Sequence, residues 1–260
     1  MTSRSRYRNS VILTLTGLVV LAWTLLWWLE RSPWGALFHA HAGHGTAASH
    51  HAGHVSDGLM AVLFTAGWVL MVVAMMLPAT FPLVEVFRRL VRKRPNSAAL
   101  VTLLVAGYLL VWTLFGVAVY LAGDVIRRTA LPIEPAIAGG LLFLAAGAFQ
   151  FSSLKYHCLD RCRTPLAFVL ARWDGHGSGR TVAFRIGFEH GAYCVGCCWA
   201  LMLLMFAVAT ANLLWMMVLG ILMAMEKNLP WGRTMGRPLG AVLLLVGAWL
   251  VLGPAYGPFS

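Results

Sequence analysis

The chain has 260 residues, of which 60% are hydrophobic and 11% charged, a balance that excludes a disordered chain and an ordinary water-soluble domain and belongs to the membrane class. The net charge of +11 would point to nucleic acid in a soluble protein. Here the Lys and Arg residues fall in short segments between apolar runs and no nucleic-acid-binding motif accompanies them, so nucleic acid is excluded as a partner.

In chain order, Arg4, Arg6 and Arg8 precede an uncharged run from Val11 to Leu29. That run is too long for the apolar part of a cleaved signal and predicts a retained first transmembrane helix. Residues 30–58 are rich in Ala, Gly, Ser and His, and His39, His41, His44, His50, His51 and His54 lie within them. A tract of this composition has little apolar surface for a core and is a compositional signal for weak metal sites, since imidazole suits copper(II), zinc and nickel. A solvated linker and a pH-sensitive segment are the other readings of it.

A second helix is expected from about Leu59 to Phe81, with Met71 and Met75 on one face. These residues are either packing or weak sulfur ligands. A basic cluster, Arg88 to Arg94, leads to a third helix, Ala98 to Ala122. A fourth opens after Pro132 and Pro135 and ends near Ser153. Residues 154–190 read as a polar connection, in which Leu166 to Trp173 suits a short interfacial helix. Within it, Cys158 and Cys162 are neighbours if helical. The apolar stretch from Gly191 to Glu226 exceeds one span and is expected to divide near Asn212. Glu226 either pairs with Lys227 at the membrane edge or, as a carboxylate in an apolar layer, serves a function. A last helix covers Pro238 to Leu252.

The expected fold is therefore all-α: a polytopic bundle of about seven transmembrane helices. The chain divides into a first part at 1–29, a His-rich loop at 30–58 and a membrane domain at 59–260. With the N-terminus cytoplasmic, all but Arg31, Arg127 and Arg128 of the 20 Lys and Arg residues fall on the cytoplasmic side, the bias expected of inner-membrane proteins. The His loop then faces the periplasm. The five cysteines lie at or near the reducing side, available as thiolates.

The stretch from His190 to Met205 carries the chemistry. On a helix turning about 100° per residue, with His190 at zero, Cys194 falls near about 40°, Cys197 near about −20°, Cys198 near about 80° and Met205 near about 60°. One arc then presents imidazole and sulfur, a soft donor set suited to copper(I), zinc or an iron–sulfur centre. Met202 and Met205 extend it with weaker sulfur donors. Gly187 and Gly191 form a small-residue pair that hints at close helix packing.

Four segments resemble a known family: His157-Cys158-Leu159 with Cys162, Arg163 and Pro165; Trp173 with Gly175; the run from Gly187 through His190, Tyr193, Cys194, Val195, Gly196, Cys197, Cys198 and Trp199 to Met202; and Ala74-Met75-Met76-Leu77-Pro78. Over about residues 60–230 the chain resembles a bacterial family described as predicted metal-binding integral membrane proteins. That resemblance implies His157, Cys158, Cys162, His190, Cys194, Cys197 and Cys198 as metal ligands. The His-rich loop is an elaboration on it.

The function expected is binding of a soft transition metal, copper before zinc, iron or haem, for transport, delivery or resistance. Partners would be the lipid bilayer, the metal ion and a metal chaperone or another membrane subunit. A membrane oxidoreductase using the cysteines, a metal or haem, and a structural subunit of a membrane complex, are the alternatives. For one ion to be shared, the sulfur of Cys158 or Cys162 must lie within about 4–8 Å of Cys194 or Cys198, because metal–thiolate bonds are about 2.3 Å long.

Overall fold

The computed structural model describes residues 3–32, 57–129, 134–173, 179–207 and 213–253. The histidines at 39–54 and the turn at Asn212 lie outside the described residues. Among the described residues every regular element is helical. This is what a 60% hydrophobic chain needs if its backbone amides are to be satisfied without water.

In order, the helices are α1 (Ser3–Arg31), α2 (Asp57–Met75), a 3-10 turn (Pro78–Thr80), α3 (Phe81–Val91), α4 (Ser97–Arg128), α5 (Pro135–Phe149), α6 (Ser153–Arg163), α7 (Pro165–Leu170), α8 (Arg180–Ala207), α9 (Leu213–Asn228) and α10 (Gly232–Leu252). Five are long and apolar enough to cross a membrane: α1, α2, α4, α8 and α10. A sixth crossing is available if α5 and α6, bent by 66° at their junction, form one broken span. The expected count was about seven. The difference lies at α9, whose 16 residues fall short of the thickness of a bilayer core.

Several expected boundaries move. The polar connection assigned to 154–190 is largely helical. It contains α6 and α7, and α8 starts at Arg180 rather than Gly191. The charges that suggested a loop lie on the surface of this first part of α8, where Glu189 pairs with Arg185, one turn earlier, and with Arg172. The last helix begins at Gly232 and carries Pro238 within it.

The breaks have local causes. Pro78 has no amide hydrogen, so the carbonyl of Ala74 loses its helical donor. The indole Nε1 of Trp23 donates to that carbonyl instead, at 3.1 Å, and this ties α1 to the end of α2. Just before the proline, both Met76 N and Leu77 N donate to the carbonyl of Val72, at 2.8 and 3.2 Å, so the last turn widens. At the α5–α6 bend, Ser152 caps α6 by accepting from Lys155 N at 3.1 Å, the usual role of serine at that position.

Helices α4 and α8 meet at backbone distance. A methyl group added at Gly187 would overlap the carbonyl of Leu104, and one at Gly107 would overlap the carbonyl of Phe184. Glycine here allows the close approach that the Gly187–Gly191 pair suggested. The large interior cluster is built from α1, α2, α4, α5, α6, α8, α9 and α10 and includes Met71, Met75, Met76, Met202, Trp68, Trp112 and four of the five cysteines. A second cluster packs α3 and α7 against α4 and α8 through Phe87, Phe168, Leu104 and Ile186. On α3 the Arg88 side chain bonds Glu85 and holds its carboxyl below the ordinary range.

Candidate metal centre

The close α4–α8 crossing sets the site. It brings Tyr108 of α4 against the first cysteine of α8, and the Tyr108 hydroxyl lies 3.1 Å from Cys194 Sγ. Cys197 and Cys198 follow Cys194 by about one turn of helix. All three are about 1% exposed. Cys197 and Cys198 direct their thiols at the Cys194 carbonyl, at 3.1 and 2.9 Å.

From α6, Cys162 packs half-buried against the same cluster that holds Cys194, Cys197 and Cys198. The two cysteine segments therefore do meet. Cys158 is buried against Gly196, where an added methyl group would stand 2.6 Å from its sulfur. All five cysteines are free thiols.

The two histidines divide. His157 is exposed, its ring 6.3 Å from that of Tyr193. His190 is buried between Tyr108 and Phe168, with ring centroids at 6.1 and 5.6 Å. Its Nδ1 has no hydrogen-bond partner. Met71, Met75 and Met202 are core residues of the same cluster, and Met205 packs against it half-buried. Among the described residues no group of three or more His, Cys, Asp or Glu side chains is disposed to hold one ion.

Two residues given no metal role from sequence complete the picture. The first is Met76, fully buried at the widened end of α2. Cys198 Sγ lies 3.7 Å from its sulfur, and the Tyr108 hydroxyl is 3.4 Å from its carbonyl. The second is Lys227, near the end of α9. Its ammonium donates to Cys194 Sγ at 2.9 Å and lies 3.6 Å from both Cys198 Sγ and Met76 Sδ. Arg163 holds this end of α9 by donating to the carbonyls of Glu226, Leu229 and Pro230 at 2.5, 2.6 and 2.9 Å, groups that a helix end otherwise leaves unpaired.

The expected Glu226–Lys227 pair does not form. Glu226 turns the other way and receives Lys155 Nζ at 2.7 and 2.8 Å. Lys155 also bonds Gln150, and all three side chains are buried. Adjacent residues of a helix point about 100° apart, so Glu226 and Lys227 serve different neighbours. The signal for Met76 was its place two residues before a helix-breaking proline. For Lys227 it was a lone cation closing an apolar run.

A family model described as PpoB2, copper chaperone, matches residues 65–250, which contain every one of these residues. No curated protein and no solved structure matches the chain.

Proposed function

The chain belongs to the PpoB2 copper chaperone family, and from that premise we propose that it is a membrane-embedded copper carrier of the bacterial inner membrane, holding copper(I) on its interior cysteines for delivery or transport. The observation that carries the reading is the cluster of buried thiols, Cys194, Cys197 and Cys198 of α8, with Cys158 of α6 packed against the same turn at Gly196. Thiol sulfur is the donor that soft copper(I) prefers, and burial keeps water and oxidant away. Cys158 backs this set, and the unpartnered Nδ1 of His190 lies one helical turn before Cys194. His157 stands at the surface as an entry or exit ligand.

Embedding in lipid is supported by the outward faces of the long helices. Leu13 on α1 is 67% exposed, and Leu245 and Trp249 on α10 are each 71% exposed. In this reading α9 crosses as a short seventh element that buries one side, through Met216, Leu219 and Met223, against the bundle, and the N-terminus is cytoplasmic. The segments are 1–29, the periplasmic loop 30–58 and the domain 59–260. The loop histidines 39–54 exchange copper at the periplasmic side, the methionines Met71, Met75, Met202 and Met205 offer weaker steps, and a metal chaperone or a second membrane subunit is the partner.

The test is the purified Cys194→Ser/Cys198→Ser variant, loaded with copper(I) without oxygen and measured by elemental analysis. Serine keeps the size and removes the sulfur. The variant is expected to insert normally and lose tightly bound copper. Full retention of copper would sink the reading.

A further inference from the structure

The thiols do not face an empty interior: they face a cation. Three sulfurs, Cys194 Sγ, Cys198 Sγ and Met76 Sδ, surround the Lys227 ammonium at 2.9, 3.6 and 3.6 Å. They come from α8 and from the widened end of α2, and all three residues are buried. We propose that these three sulfurs are the copper(I) ligands, and that the Lys227 ammonium is a built-in occupant which the metal must displace. This inference rests on the copper-carrier reading and deepens it by naming the ligand set and the control on its affinity.

Three observations support it. An ion held by three or four sulfurs at about 2.3 Å spaces those sulfurs about 3.8–4.0 Å apart, and Cys198 Sγ and Met76 Sδ are 3.7 Å apart. A thioether with two thiols is a soft set that favours copper(I) over harder cations. It is also a set that His, Cys and carboxylate side chains alone do not supply among the described residues. Finally, Lys227 carries one positive charge, as copper(I) does, so the metal replaces one cation beside the sulfurs, and the Cys198 thiol, which donates to the Cys194 carbonyl in the metal-free state, releases its proton to solvent as it becomes a thiolate ligand.

The ammonium and the metal cannot share the pocket. Two like charges within a few ångströms repel strongly where the dielectric is low. The flexible four-carbon stem of lysine allows the head to withdraw while α9 stays in place. Sulfur lone pairs directed at the ammonium in the metal-free state become directed at copper in the loaded state. A carrier must also release its cargo, and a tethered competitor lowers affinity and speeds release without any change of ligand.

The experiment compares full-length Met76→Leu, Lys227→Met and Lys227→Gln with the unaltered protein in detergent. Copper(I) is titrated against a competing chelator without oxygen, and sulfur neighbours of the bound ion are counted by X-ray absorption. Leucine keeps the bulk of methionine, so Met76→Leu is expected to fold, to bind copper(I) at least about tenfold more weakly and to lose one sulfur neighbour. Lys227→Met and Lys227→Gln are expected to bind at least about tenfold more tightly and to release more slowly. Glutamine serves where methionine disturbs folding.

Unchanged affinity and sulfur count in Met76→Leu would overturn the three-sulfur set. Weaker or unchanged binding in both Lys227 variants would overturn displacement, since it would mean that the ammonium stays and supports the thiols. Either failure leaves the carrier reading intact if Cys194→Ser/Cys198→Ser still loses its copper. If that double variant keeps its copper, the carrier reading falls as well.

Discussion

Lys155 and Glu226 are 71 positions apart in the chain and meet as a buried ion pair at 2.7 Å. Breaking such a pair from one side leaves a charge uncompensated in the interior and costs about 3–5 kcal/mol, whereas replacing both partners by apolar groups of similar size is often close to neutral. Lys155→Met alone should therefore lower the unfolding midpoint in detergent markedly. Lys155→Met with Glu226→Leu should recover most of the loss. A double variant as unstable as the single one would mean that the pair has a role beyond charge compensation. The carboxylate of Glu226 was conspicuous in the sequence because it closes an apolar run. Its partner was not legible, since Lys155 reaches it only through the α5–α6 bend and the packing of α6 against α9. The cysteines on α8 were legible for the opposite reason: a single helix fixes their relative positions by periodicity alone. Met76 and Lys227 belong with Lys155, as residues whose meaning depends on contacts across the bundle.

Close contact between α4 and α8 is the element-scale feature on which the site depends. It has no room for a side chain at Gly187, where an added methyl group would collide with the Leu104 carbonyl, and a backbone atom cannot rotate aside. Overpacking of this kind costs about 1–3 kcal/mol and occasionally more. Gly187→Ala should force the helices apart, lower the melting temperature and quicken alkylation of Cys194 by a small thiol reagent. Gly17→Ala is the matched control, because nothing stands within 4 Å of the added atom. It should leave both properties unchanged, and equal effects from the two substitutions would remove the packing explanation. At this scale the apolar spans were largely legible from hydropathy. The start of α8 was not, because Arg180, Arg185 and Glu189 look like a loop until Arg172 and Arg185 are seen to pair with Glu189 on the helix surface. The bend between α5 and α6 also lacked a sequence signal strong enough to separate one broken span from a span and a loop.

For the whole molecule, the asymmetry of positive charge predicts an orientation that can be measured. A reporter fused after residue 45 should report the periplasm, and one fused after residue 176 the cytoplasm. In intact cells, Cys162 should be protected from a membrane-impermeant thiol reagent added outside. Ready labelling would invert the bundle and move the thiols to an oxidising side. The three-sulfur pocket has a further consequence, for biogenesis. Met76 and Lys227 meet across 151 positions of chain, and α8 lies between them in sequence. A nascent chain acquires Met76 first, the thiols of α8 next and Lys227 after them. Between the synthesis of α8 and the arrival of α9, Cys194 and Cys198 have no cation beside them and meet whatever thiol-seeking metal or oxidant is present. The arrival of Lys227 ends that interval. On the exchange proposed above, the lysine that competes with copper in the finished protein also closes the pocket during its birth.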